Sequence, residues 1–148
     1  MSPRPTSTRV PRKTAYCGAV SSAVSGRRVL VIGLDPYRVP GPWDPKPVAD
    51  AIEVGMAALA DQGVDAVACL VGLDGSDDDI EAQIAAALQS RRWECVVVGG
   101  GFRHADEMVE LLESILNLVR LHAPQAEIAF NRAPDELLKA VARRLRSS

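Results

Sequence analysis

The stretch VLVIGLDPYRVPGPWDPKP, residues 29–47, decides how the rest of the chain is read. Its first six residues form a short β-branched apolar run bounded by charge and turn residues, the pattern of a strand buried on both faces. Five prolines follow between 36 and 47, which exclude helix and central strand there and predict a long irregular loop. Beyond the loop, Val48, Ile52, Gly55 or Met56, and Leu59 recur at helical spacing, and Gly63 stands where a helix would stop.

The same strand–helix unit then repeats three times. AVACLVGL (66–73) reads as the second strand, and Ser76 with Asp77, Asp78 and Asp79 opens the next helix at the end that favours carboxylates. Ile80, Ile84, Ala87 and Leu88 form its apolar stripe. CVVVGGG (95–101) is the third strand with its exit. Met108, Leu111, Leu112, Ile115 and Val119 mark a third helix ending near Pro124. EIAF (127–130) is a short fourth strand, Pro134 suits a first helical turn, and Leu137, Leu138, Val141 and Leu145 complete the last helix.

Continuous apolar strands alternating with amphipathic helices predict a parallel sheet covered on both faces. Right-handed crossovers leave few topologies, and the commonest is a single three-layer α/β/α domain, flavodoxin-like, with four parallel strands in the order 2-1-3-4. The most apolar runs, VLVIGL and CVVVGG, take the two central places, and the short EIAF takes an edge.

Composition narrows the function classes. The chain has 148 residues and a formal charge of −2, and no run of 18 apolar residues predicts a membrane span. Cys17, Cys69 and Cys95 form no CxxC pair, and His104 and His122 are the only histidines, so no metal site is predicted. Cys69 and Cys95 fall within strands, where thiols are inert core residues. The charge is uneven. Residues 1–28 carry six of the 17 basic side chains and no acid, which leaves 11 basic and 19 acidic groups beyond them. Residues 1–26, rich in Ser, Pro and Arg and without period, are expected to be a disordered basic tail outside a domain spanning 27–148. An over-extended start, with Val20 or Val24 as the first residue, a secretory signal and an organelle transit peptide are alternatives. An acidic domain exerts no general attraction on nucleic acid or anionic lipid. No nucleic-acid or membrane partner is expected, and the protein is expected to be cytoplasmic.

In a sheet of this order the crevice opens beyond the carboxyl ends of strands one and three. The candidate ligand-binding residues there are Asp35, Gly99, Gly100, Gly101 and Arg103, with Asn131 at the end of strand four on the same rim. Bare glycine N–H groups before a helix and an arginine clamp would suit a small anionic ligand, and a homo-oligomer is a second expectation for partners. Asp35 could instead bind a hydroxyl or a metal, or act as a base, and Trp43 in the proline loop either anchors that loop or lines the crevice mouth. Each of these glycines also has a plain packing reading, Asp35-Pro36 is an ordinary turn pair, and Asn131 could simply hold a loop. No motif names a cofactor or a catalytic residue. GGGFRH (99–104) has His104 in the third glycine place of a dinucleotide fingerprint, and no P-loop or nucleophile elbow is present.

The segments VLVIGLDP, CVVVGGGFR, NLVRLHAPQAEIAFNRAPDE and the terminal AV–RRL together resemble a family of small uncharacterised bacterial proteins with one flavodoxin-like domain. In that family the third strand ends in a Gly-x-Gly-x-Arg turn and a later segment reads roughly I-N-x-V-H-x-H-A-P-x-A-x-I-A-F-N. The resemblance spans about residues 28–146. It matches Gly99, Gly101, Arg103, Asn117, His122, Pro124 and Asn131 to the family pattern, with Arg120 where the family has its first His. It implies the fold and a crevice, and no established activity.

Three functional expectations follow. The first is a domain that binds a small anionic ligand at the carboxyl ends of strands one and three. The second is a small hydrolase or lyase using Asp35 or His104 as base. The third is a homo-oligomeric interaction module, because Leu111, Leu112, Leu116, Leu118 and Leu121 make the third helix apolar on more than one face.

Overall fold

The computed structural model describes residues 23–145, and within them the four apolar runs pair into one parallel sheet. Strand β1 (Arg28–Leu34) lies between β2 (Asp65–Val71) and β3 (Cys95–Val98), and β3 pairs on its other side with β4 (Glu127–Phe130). The order 2-1-3-4 is the one expected. Beyond the exposed Arg28 at the start of β1, both central strands are apolar because both of their faces are covered.

Alternation sorts the side chains into two cores. Leu30, Ile32, Val96 and Val98 face helices α2 (Asp77–Gln89) and α3 (Val109–His122), where Ile84, Leu88 and Ile115 are fully buried. Val29, Val31, Cys95 and Val97 face helices α1 (Lys46–Asp61) and α4 (Leu137–Leu145), packing with Leu59, Ala140 and Val141. The result is three layers.

The helix ends follow local chemistry. Ser76 Oγ accepts the Asp79 N–H at 3.1 Å and starts α2, as its sequence predicts. Helix α4 starts later than expected. Pro134 lies in a turn three residues before it, and the Pro134 carbonyl turns toward Gly55 of α1. A Cβ at Gly55 would overlap that carbonyl oxygen and stand 3.0 Å from Leu137 Cδ1, so only glycine permits the approach of α1 to this turn.

The surplus leucines of α3 are largely accounted for. Leu112, Leu116 and Leu118 pack against the α2–α3 core as partly buried neighbours, and Leu121 stands exposed. The expected tail falls mostly on residues 1–22, outside the described residues. The last four of its residues are described: Val24 is fully buried beside Val29 and Leu59, and the Gly26 N–H donates to the Gly63 carbonyl at 2.7 Å. Among the described residues no three His, Cys, Asp or Glu side chains come together. No described helix is long and apolar enough to cross a membrane.

Candidate functional site

A cavity of about 310 Å³ opens at the carboxyl ends of β1 and β3, where the strand order reverses. That volume lies at the lower end of small-molecule sites, and the place is where open α/β sheets bind ligands. Its walls come from four segments. The exit of β1 supplies Gly33 and Leu34, and the proline loop supplies Val39 and Trp43. The first half of α1 supplies Val48 and Ile52, and the turn before α4 supplies Pro134 and Leu137. The polar fringe is formed by Gly99–Gly101, His104, Asn131 and Arg132.

The wall on α1 explains a departure from a simple amphipathic helix. Val48 and Ile52 continue the apolar stripe of Leu59, yet both are only half-buried, because they face the cavity instead of the sheet. The proline loop is fastened over the same opening. The Asp35 N–H donates to the Val71 carbonyl at 2.8 Å, and Leu73 N–H donates to the Arg38 carbonyl at 3.0 Å. Arg38 meets the Asp74 carboxylate with two bonds, Nη2 to Oδ1 at 2.8 Å and Nε to Oδ2 at 3.2 Å. That pairing raises the Arg38 pKa and lowers that of Asp74. Trp43 donates Nε1–H to the Val39 carbonyl at 3.1 Å and lines the crevice mouth with 39% of its surface exposed.

The glycine turn is tighter than a helix start. Gly99 donates its N–H to the Ile32 carbonyl at 2.8 Å, and Gly100–Phe102 form one 3-10 turn. A second such turn, Asp106–Met108, intervenes before α3 begins at Val109. Gly101 packs closely here: a Cβ on it would stand 2.7 Å from Leu34 Cδ1, so the Leu34 side chain would have to shift to admit one. As the first two donors of the turn, the N–H groups of Gly100 and Gly101 have no intrahelical acceptor.

The structure brings together four of the six candidate residues. Gly99, Gly100, Gly101 and Asn131 line the cavity, and His104 joins them. Asp35 and Arg103 lie outside its lining. Asp35 accepts the Tyr37 N–H on Oδ1 at 3.0 Å, capping the turn Pro36–Arg38, and no hydrogen bond or ion pair joins it to His104. Arg103 turns away to β4, donating from Nη2 to the Asn131 carbonyl oxygen, with its Cζ 4.8 Å from the centre of the Phe130 ring. Burial pushes the Arg103 pKa down. The cation that does reach the crevice is Arg132, which sequence reasoning passed over and which has no carboxylate partner among the described residues.

Asn131 is the one polar side chain fully inside the described fold, 5% exposed. Its Nδ2 donates to the Ala133 carbonyl at 2.8 Å, and its Oδ1 is buried with no donor. Leaving such an acceptor unpaired costs about 1–3 kcal/mol. The two described thiols take no part. Cys69 and Cys95 are free and buried, and burial pushes the Cys95 pKa up to about 12.

Comparison of the chain with protein-family models, with curated proteins and with solved structures found no match.

Proposed function

We propose that the protein binds a small organic acid with an apolar, ring-sized body in the crevice between the carboxyl ends of β1 and β3. The observation that carries this reading is the cavity itself: about 310 Å³, walled by Trp43, Val48, Ile52 and Leu34, with its polar groups gathered on one fringe. The apolar body would bury against those side chains, and burial of apolar area supplies the larger part of the affinity. The fringe favours an anion at the other end, because Arg132 and the glycine N–H groups all donate, and His104 stands beside them. The −8 balance of the chain beyond residue 28 opposes anions in general, so this recognition depends on short-range geometry and favours a compact ligand.

The family assignment is part of the same proposal. It rests on the CVVVGGGFR and APQAEIAFN segments, and it would make the protein bacterial and cytoplasmic. A second copy as partner has one supporting observation. Ile128 and Phe130 on the edge strand β4 are 37% and 40% exposed.

Saturation-transfer NMR with phenylacetate and indole-3-acetate tests the binding reading. Transfer to the ring protons, reduced by Arg132→Met and by Trp43→Ala, is the expected result. No transfer from the native protein to either acid overturns it.

A further inference from the structure

We infer that two copies of this chain pair through β4, antiparallel about a two-fold axis beside Ile128, with Phe130 of each entering the groove between α3 and β4 of the other. This rests on the reading of a second copy as partner, and it names the surface and the register.

Strand β4 ends the sheet, and backbone alternation decides what it shows on its open side. The Glu127 N–H donates inward to the Glu94 carbonyl at 3.0 Å, so Ile128, one residue on, turns its N–H and C=O away from β3. The flanking groups on that side are taken. Arg143 Nη2 donates to the Phe130 carbonyl at 2.8 Å, and the Ala126 N–H donates to the Ala123 carbonyl at 3.0 Å. Between them Ile128 offers one donor and one acceptor. A two-fold axis beside it pairs each with its opposite in a second copy, which is how an isologous interface satisfies itself. Nothing blunts this edge: EIAF contains no lysine and no proline, and its register with β3 runs without a bulge.

The side chains fit the same register. Ile128 and Phe130 stand on the α3 face, in line with Val96 and Val98, and both are partly exposed. Between α3 and β4 a groove of about 320 Å³ runs past Leu116, Ala123, Pro124, Ala126 and Ile128. With the axis at Ile128, Phe130 of one copy lies opposite Ala126 of the other, so the exposed ring meets a groove large enough to take it. On the α4 face the same register gives charge complementarity. Glu127 follows Ala126, and Arg143, held at the Phe130 carbonyl, comes beside it from the second copy. Backbone, ring and charge match under one operation, which favours a second copy over an unrelated strand.

Sedimentation velocity on the full chain tests this. The native protein is expected to run as a dimer, twice 15.8 kDa. Ile128→Lys and Ile128→Glu, with folding checked by circular dichroism, should each run as monomers, because like charges then meet across the axis. An equimolar mixture of the two should regain the dimer, because lysine then faces glutamate. Hydrogen exchange supplies a readout that needs no variant: the native Ile128 amide should be protected and should lose that protection on dilution. A native protein that is monomeric at every concentration overturns this inference together with the reading of a second copy as partner. A native dimer that both variants leave intact keeps the second copy and overturns this surface. Monomeric variants that fail to recover on mixing overturn the register, as does a fast-exchanging Ile128 amide in a native dimer. The crevice reading is separate from all of these outcomes, since Ile128 does not line the cavity.

Discussion

Arg103 at the exit of β3 reaches across to the backbone carbonyl of Asn131 at the exit of β4, 28 residues along the chain. The same guanidinium lies over the Phe130 ring with Cζ 4.8 Å from its centre. Hydrogen bond and stacking together join the two strand exits at the rim of the crevice, so the arginine sets the position of Asn131 without touching the cavity. Arg103→Met should therefore lower stability by about 1–2 kcal/mol, seen as a lower urea midpoint. Binding of indole-3-acetate should persist in the variant. Abolished binding with unchanged stability would make Arg103 a direct ligand contact.

Asp35 has a local task. Its Oδ1 accepts the Tyr37 N–H, and its own N–H holds the Val71 carbonyl, so it starts the proline loop and ties it to β2. Asp35→Ala is expected to cost roughly 1 kcal/mol, the usual loss of a capping side chain. Affinity for indole-3-acetate should change less than twofold. A larger loss at unchanged melting temperature would return Asp35 to the site.

The order of elements was legible because strands buried on both faces must be continuous apolar runs, as VLVIGL and CVVV are. The site was legible only where backbone carries it. A glycine turn at the exit of the third strand has one place to be, and Gly99–Gly101 line the cavity. Side-chain direction has no such signal: nothing in GGGFR tells that Arg103 leans to β4 while Arg132 faces the opening. Val48 and Ile52 read as core because a wall of an apolar cavity and a wall of the core share one periodicity. Val24 escaped for the opposite reason, as a lone apolar residue in a Ser- and Gly-rich stretch with no period to reveal its burial.

Cys95 makes alkaline stability predictable. Burial is the main cause of its raised pKa, with Glu127 adding to it. The thiol titrates near its ordinary value in the unfolded chain and near 12 in the native one. Between those values the native state holds the proton that the unfolded state has lost, so stability falls as pH rises across that window. Urea midpoints should decline above about pH 9, and the decline should be shallower in Cys95→Ala, even though that variant starts from a lower value. At pH 8 the native protein should leave Cys69 and Cys95 unreacted toward Ellman's reagent. Rapid labelling of either at full native signal would contradict the burial described here.

Gly55 couples the fold to the crevice. It lets the Pro134 carbonyl and Leu137 approach α1, and both of those residues also line the cavity. Gly55→Val should cost about 1–3 kcal/mol through overpacking, despite the higher helix propensity of valine over glycine. Displacement of the turn before α4 would relieve the strain, and that turn carries Arg132 and Ala133 along with Pro134. Binding of indole-3-acetate should weaken by more than the stability loss accounts for at temperatures where the variant remains fully folded. Gly75→Ala is the control: a Cβ there meets nothing nearer than Asp79 Oδ2 at 3.7 Å, and it should change neither quantity. A Gly55→Val protein of reduced stability and native affinity would show that the turn before α4 moves independently of the crevice wall.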